Sequence, residues 1–184
     1  GAFAAAAGAA AELTPSVEGV PAAKAVVVLV HGLNLKPGKM NALADFLRAH
    51  GADVLPVTLS GHGGAMEEFK KVSRDIWIKE MQDAFRSAEA RAKENNAPIY
   101  FVGYSLGALV GLDFLNSGAV QEVRCDKMVL LAPAISIRER SYLLKLLGLF
   151  PALVIPSLSP EDYRAHGGTP MAAYKALFQS VSSL

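Results

Sequence analysis

The sequence predicts an α/β fold in which a mostly parallel sheet carries helices on both faces. Short runs that are apolar on both faces, as in strands inside a parallel sheet, alternate with stretches of helical periodicity. Strand and helix in alternation indicate parallel strands joined by crossover helices. The length of 184 residues suits one domain that can bury a core of its own.

Two strands and a helix are expected in the first third of the chain. The run Ala-Val-Val-Val-Leu-Val at 25–30 is rich in β-branched residues, which predicts a buried strand. Apolar residues then recur at helical spacing from Met40 to Leu47, and Gly51 follows as a stop signal. Residues 53–59 predict a second short strand.

The middle of the chain repeats this alternation. After a loop at 60–65, one face of a long helix is marked by four residues at helical spacing: Trp77, Met81, Phe85 and Ala88. Two further apolar strands are expected at 98–104 and 127–132, and a helix at 106–115 follows the first of them. In such sheets the chemistry lies beyond the carboxyl ends of the strands.

The chain changes character after its fourth predicted strand. Residues 141–160 are rich in Leu, Phe, Ile and Pro and carry few charges, which predicts short helices with an exposed apolar side. We favour a cap above the sheet over a helix pair packed in the core. Pro170 opens a last run with apolar residues four apart, so a final helix is expected at 170–184.

The predicted organisation has three parts: an alanine-rich tail at 1–20, a core at 21–135, and a helical cap or lid with the final helix at 136–184. The tail lacks the basic and long apolar regions of a complete signal peptide. It is interpreted either as the end of such a peptide or as a cloning remnant. Cytoplasmic and exported locations therefore both stay open.

The composition argues against several classes of function. The chain has 18 basic and 17 acidic residues, so no charge excess points to nucleic acid. The single cysteine, Cys125, excludes an internal disulfide framework. The four histidines show no metal-ligand spacing, and neither a metal nor an organic cofactor is implied.

One motif carries the chemistry. Residues 103–107 are Gly-Tyr-Ser-Leu-Gly, directly after a predicted buried strand and at the start of a predicted helix. In this context G-x-S-x-G indicates a nucleophile elbow. The two glycines remove side chains that would collide with neighbouring chain, and the helix N-terminus faces the developing oxyanion. Ser105 is therefore the candidate catalytic residue, and an ordinary turn serine is the alternative.

The region from 25 to 135 resembles the α/β-hydrolase family, nearest to its capped esterases and monoacylglycerol-lipase-like members. The matching segments are Val-Leu-Val-His-Gly-Leu at 28–33, Leu-Ser-Gly-His-Gly at 59–63, the elbow at 103–107, and Val-Leu-Leu-Ala-Pro-Ala at 129–134. The resemblance implies an oxyanion hole formed by the backbone N–H groups of Leu33 and Leu106. The supporting positions that it implies are His31, Gly32, Gly103 and Gly107.

The resemblance leaves the catalytic acid and base unassigned. His31 and His62 match histidines that are structural in the family. His62 is kept as a base candidate because it follows a strand, and His166 because a cap loop would bring it over Ser105.

The chain also departs from the family, whose acid and base follow two further strands after the cap. Nothing after Pro133 matches such strands. We therefore expect the chain to lack the last two strands and to represent the N-terminal two-thirds of a domain that usually needs roughly 250–300 residues. The acid and base would then come from a segment not seen in this chain.

The predicted function is a serine hydrolase that cleaves small-molecule carboxylic esters, with apolar acyl chains favoured. Two alternatives stay open. A non-catalytic binding module of the same fold, or an incomplete fragment, is favoured by the absent acid and base. An acyltransferase would use the same residues and differ only in the acceptor.

Two interactions are expected from exposed apolar surface. The predicted strand from Lys127 to Ala132 would be an uncharged sheet edge, which invites pairing. We expect the cap, a second polypeptide or a second copy of the chain to cover it. The apolar cap also makes a lipid surface a candidate partner.

Overall fold

The computed structural model describes residues 23–117, 123–135 and 149–184. Its strands are β1 (Ala25–Val30), β2 (Ala52–Val57), β3 (Ile99–Tyr104), β4 (Lys127–Leu131), β5 (Val154–Pro156) and β6 (Gly168–Pro170). Its helices are α1 (Asn41–Ala49), α2 (Met66–Phe69), α3 (Arg74–Asn95), α4 (Leu106–Asn116) and α5 (Met171–Ser183), and a 3-10 turn (Pro37–Met40) precedes α1. The predicted tail at 1–20 and positions 136–148 of the predicted cap lie outside the described residues.

The four longer strands form one parallel sheet in the order β2-β1-β3-β4. In the register of the sheet, Val28 of β1 lies opposite Leu55 of β2 on one side and Phe101 of β3 on the other. All six residues of β1 are buried, as expected for a central strand that is covered on both faces. The predicted mostly parallel sheet is confirmed.

Helices cover both faces of this sheet. On one face α3 and α4 bury large side chains against it, among them Trp77, Phe85 and Phe114. On the other face α1 encloses a smaller cluster that includes Val27 and Ala44. Among the described helices, none combines the length and hydropathy that crossing a bilayer requires.

The ends of α3 show how local sequence sets the helix length. The Ser73 hydroxyl accepts the Ile76 N–H at 3.3 Å, so a serine cap begins the helix. Asn96 ends it in the left-handed conformation at φ 48°, which asparagine adopts more readily than most residues. The long helix predicted between these positions is confirmed.

The final helix packs on the core. α5 contacts α4 and α3, and it buries Met171, Ala173 and Ala176. The Ser183 hydroxyl donates to the buried carboxylate of Asp113, which also receives two hydrogen bonds from Arg74 at 2.6 and 2.7 Å. Burial alone raises the pKa of Asp113, but these hydrogen bonds outweigh it and hold that pKa below its usual value. The predicted final helix is confirmed.

The short helices predicted within 141–160 are wrong for the described part of that segment. That part instead contains β5, which pairs with the later strand β6 as a two-stranded antiparallel sheet, with Ile155 opposite Thr169. Prolines at 151, 156 and 160 interrupt any helix, and Val154 and Ile155 favour extended backbone. Positions 141–148 lie outside the described residues.

The two edges of the main sheet differ. β2 carries Pro56, which has no N–H to donate, and Asp53, which pairs with Arg91 at 2.9 Å. β4 has apolar side chains that are exposed, with Val129 at 51% and Met128 at 44%. Among the described residues, the β4 edge is therefore the less protected of the two.

Candidate active site

Ser105 stands at the junction of β3 and α4 in a strained conformation, with φ 50° and ψ −109°. A non-glycine residue at such a φ costs about 1–3 kcal/mol unless its surroundings hold it there. Its N–H donates to the Leu131 carbonyl at 2.9 Å, and its carbonyl accepts the Leu109 N–H at 3.1 Å. The half-buried serine is thus fixed on a tight strand-to-helix turn.

The glycines on either side of Ser105 permit close approach of main chain. A Cβ at Gly103 would lie 2.6 Å from the backbone of Ala108. A Cβ at Gly107 would lie 2.6 Å from the carbonyl oxygens of Val30 and His31. Any side chain at either position would push α4 away from the sheet, so the spacing of the motif has a steric cause.

The loop after β1 lies beside the serine. A Cβ added at Gly32 would lie 3.3 Å from the Cβ of Ser105. A cavity of about 230 Å³ is lined by Gly32, Leu33 and Ser105 and by a second wall from a distant segment, formed by Ser159, Pro160 and Tyr163. The structure therefore brings together two of the predicted segments, the His-Gly loop and the serine turn.

The two amides predicted for an oxyanion hole are those of Leu33 and Leu106. Leu106 is the first residue of α4, where N–H groups have no acceptor within the helix. Among residues 23–117, 123–135 and 149–184, neither the Leu33 amide nor the Leu106 amide has a hydrogen-bond acceptor. Both are therefore available to an acceptor within this part of the structure.

His31 is buried beneath the loop, with 1% of its surface exposed. Its Nδ1 faces the Gly32 carbonyl at 2.8 Å, and its Nε2 accepts the Leu59 N–H at 3.0 Å. Burial lowers the pKa of His31, although the hydrogen bond to Gly32 opposes that effect. The ring ties the loop after β1 to the loop after β2, in keeping with a supporting role.

His62 is also buried, at 4% exposure, and both ring nitrogens face main chain. Its Nε2 accepts the Asn34 N–H at 2.9 Å, and its Nδ1 faces the Leu59 carbonyl at 3.1 Å. Burial and the proximity of His31 lower the pKa of His62 to about 3, so the imidazole stays neutral and can keep accepting. These contacts favour structural support over a role as the base.

His166 lies on the segment before β6. Its Nε2 faces the Gly61 carbonyl at 2.7 Å, and its ring packs near Phe69 with centroids 5.2 Å apart. No histidine is among the described residues that line the cavity beside Ser105. The structure thus places both base candidates, His62 and His166, in contact with the loop after β2.

Sequence reasoning missed Asn34 and the wall formed by Ser159, Pro160 and Tyr163. Asn34 has φ 50°, a conformation that asparagine tolerates better than most residues, so its position after His-Gly-Leu was a usable turn signal. The wall residues carry no motif. They reach the cavity through pairing between distant segments, which no local pattern predicts.

A larger open cavity of about 870 Å³ lies between α5 and the start of α3. Arg74, Lys175 and Phe178 are among its lining residues. Of the predicted site residues, Gly32, Leu33 and Ser105 line the smaller cavity instead, so we assign the site by the residues present and not by cavity size.

Comparison with known proteins gives a family for these features. The sequence profile of the family described as serine aminopeptidase, S33, matches residues 21–180. A search of curated proteins by sequence found no match.

Solved structures share the fold at low identity. A structure of the metagenome-derived lipolytic enzymes LipS and LipT superposes with a TM-score of 0.73 at 22% identity, covering 88% of this chain and 66% of that one. For the monoacylglycerol lipase of Paleococcus ferrophilus the TM-score is 0.63 at 20% identity, with 85% and 65% covered.

A soluble variant of monoglyceride lipase from Saccharomyces cerevisiae, in complex with a substrate analogue, gives a TM-score of 0.75 at 14% identity. The superposition covers 87% of this chain and 60% of that one. The chain thus spans less than two thirds of the length of these three structures. Their likeness shows the α/β-hydrolase fold.

Proposed function

The chain belongs to the serine aminopeptidase S33 family of α/β-hydrolases, and from that premise we propose that it hydrolyses carboxylic esters with Ser105 as nucleophile. One observation carries the proposal. The strained turn at Ser105 opens onto a cavity that it shares with Gly32 and Leu33. A hydroxyl beside available backbone N–H groups is the arrangement that acyl transfer requires.

In this proposal the Ser105 hydroxyl attacks the ester carbonyl carbon and forms a tetrahedral intermediate. The N–H groups of Leu33 and Leu106 donate to the oxyanion, aided by the N-terminus of α4. A histidine takes the serine proton and returns it to the leaving alcohol, and water then releases the acyl group. Each N–H donor would contribute about 10²-fold or more to the rate.

We propose that the histidine and its acidic partner come from a segment outside this chain. His31 and His62 are hydrogen-bonded to main chain through both ring nitrogens, and His166 Nε2 faces the Gly61 carbonyl. The chain spans 60–66% of the three solved structures described above. These two observations support a base that lies beyond the matched region.

The apolar walls of the cavity favour a substrate whose acyl group or small alcohol group is apolar and binds there. Leu33, Leu35, Tyr104 and Tyr163 present aliphatic or aromatic surface there. A site of this kind binds through contact area and fixes orientation with few polar groups. The names of the lipolytic neighbours are consistent with such substrates.

Labelling with a fluorophosphonate tests the proposal. The protein, together with the segment that supplies the base, is incubated with the probe, its intact mass is recorded, and the modified peptide is mapped. We expect one adduct on Ser105 in the wild type and in Ser159→Ala, a matched control because Ser159 also lines the cavity. Ser105→Ala should take no label. An adduct on another serine would contradict the assignment.

A non-catalytic binding module is the second candidate. It is favoured because no histidine is found among the described residues lining the Ser105 cavity. Wild-type protein that stays unlabelled, but binds an apolar ester analogue in a way that Tyr163→Ala weakens, would support the module. Labelling on Ser105 would exclude it.

A further inference from the structure

Asn34 lies in the loop after β1, between the residues of that loop that line the cavity and the segment that forms the Ser159–Tyr163 wall. It follows Gly32 and Leu33 directly, and only 7% of its surface is exposed. Its backbone is left-handed at φ 50°. A buried polar side chain in such a conformation needs partners that hold it there.

Those partners lie on the segment before β6. The side-chain Nδ2 of Asn34 donates to the His166 carbonyl at 3.0 Å, and its Oδ1 accepts the His166 N–H at 2.8 Å. The Asn34 carbonyl also accepts the Ala165 N–H at 2.9 Å. The side-chain amide therefore pairs with both main-chain groups of one residue, as a neighbouring strand would.

Further contacts extend this pairing toward the cavity. Leu35 forms an antiparallel bridge with Arg164, and the Lys36 N–H donates to the Tyr163 carbonyl at 2.8 Å. Tyr163 and Leu33 both line the cavity beside Ser105. The two walls are thus joined through residues 34–36.

The main-chain N–H of Asn34 makes a separate contact with the core. It donates to His62 Nε2 at 2.9 Å. The Leu33 N–H belongs to the preceding Gly32–Leu33 peptide group, whose carbonyl accepts the Leu35 N–H at 3.3 Å and faces His31 Nδ1 at 2.8 Å. Holding Asn34 therefore fixes the chain between that peptide group and Leu35 and limits how the Leu33 N–H can rotate. No part of this arrangement requires Asn34 to touch a substrate.

We propose that Asn34 is a positioning residue that aims the Leu33 N–H at the oxyanion and holds the Ser159–Tyr163 wall in place. The inference rests on the proposed function, since only an acyl-transfer site gives the Leu33 amide a catalytic role. Displacing a preorganised donor by about 1 Å can cost on the order of 10²-fold in rate. Asparagine suits this position because it supplies a donor and an acceptor and tolerates a positive φ.

Two variants and one control test the proposal. Asn34→Gly removes the side-chain amide and leaves the left-handed backbone unstrained. Asn34→Asp keeps an acceptor for the His166 N–H but loses the donor to the His166 carbonyl. Asn96→Gly is the matched control, because Asn96 also has a left-handed backbone but lies at the opposite end of β3 from Ser105.

Hydrogen–deuterium exchange measures whether Asn34 restrains both walls of the cavity, and it does not depend on catalytic activity. We expect Asn34→Gly to speed amide exchange about tenfold or more in both 32–36 and 163–168, with the central strands unchanged. Asn96→Gly should match the wild type in both segments. Wild-type exchange in both segments of Asn34→Gly would overturn the proposal.

Labelling kinetics then read the effect on Ser105. We expect the maximal rate of fluorophosphonate labelling to fall about 10- to 100-fold in Asn34→Gly, with less than about a threefold change in the half-saturating concentration. Asn34→Asp should be intermediate and Asn96→Gly unchanged. A wild-type maximal rate in folded Asn34→Gly overturns the proposal. Wild-type protein that includes the base-supplying segment and still takes no label instead contradicts the proposed function, and exchange alone then decides whether Asn34 joins the walls.

Discussion

Gly107 packs directly against the main chain of His31. A Cβ added at Gly107 would lie 2.6 Å from the His31 carbonyl oxygen, closer than real Cβ atoms come. The contact joins the first turn of α4 to the end of β1. It therefore sets the distance between Leu106, on α4, and Leu33, in the loop that follows β1.

We expect Gly107→Ala to destroy the site and to weaken the fold. The atoms that a methyl group would meet are backbone, so α4 itself must move. Overpacking of this kind costs about 1–3 kcal/mol, and moving one oxyanion donor costs about 10²-fold in rate. Thermal unfolding and the fluorophosphonate labelling rate measure the two effects.

Gly167→Ala is the control for this substitution. A Cβ at Gly167 meets nothing within 4 Å, so that variant should keep wild-type stability and labelling. If Gly107→Ala labelled Ser105 at the wild-type rate, the close approach would not matter to the site.

The strain at Ser105 predicts a difference between two inactive variants. Ser105→Gly and Ser105→Ala both lack the hydroxyl, but only glycine adopts φ 50° and ψ −109° without a penalty. Glycine relieves the backbone strain but loses more conformational entropy on folding than alanine does. We expect the net result to make Ser105→Gly about 1 kcal/mol more stable than Ser105→Ala. Urea unfolding of both variants checks this. Equal stabilities would mean that the turn stores no strain.

The main sheet and the serine turn follow local sequence, which is why they could be predicted. β1 is apolar on both faces because helices cover both, and 103–107 needs its glycines because main chain approaches there. The β5–β6 pair was missed because three-residue strands carry too little periodicity. The link from Asn34 to His166 joins residues 132 positions apart, and no local pattern contains it.

Stability should depend on pH through the two buried histidines. Burial and the neighbouring imidazole lower the pKa of His62 from 6.5 to about 3, and burial also lowers that of His31. Below pH 6.5 the unfolded chain therefore binds protons that the folded chain excludes. The contribution of the two neutral histidines to the free energy of unfolding is complete above the unfolded-state pKa, and it is lost as the pH falls below that value. For His62 we expect a loss of about 1.4 kcal/mol per pH unit as the pH falls from 6.5 toward 3, and His31 adds a loss of the same sign.

Urea unfolding between about pH 4 and pH 7 measures this slope. His62→Gln removes one titrating ring and retains an acceptor for the Asn34 N–H, so its slope should fall by about one proton relative to the wild type. An unchanged slope in His62→Gln would show that His62 takes up its proton equally in both states.

The exposed β4 edge predicts self-association of the isolated chain. Val129 lies in the middle of β4 at 51% exposure, and β4 has neither the proline nor the paired aspartate that β2 carries. Within the described residues, β4 is charged only at its first position, Lys127, so its apolar remainder offers N–H and C=O groups to another strand, and a lysine in the middle of β4 opposes such pairing. In sedimentation velocity we expect species above 19.4 kDa that grow with concentration, and Val129→Lys should reduce them.

Phe46→Lys, which removes a 59% exposed side chain from α1, should associate like the wild type. Equal association of Val129→Lys and Phe46→Lys would place the contact elsewhere. A monomer at every concentration would exclude a second copy and leave the cap or a different polypeptide to cover the edge.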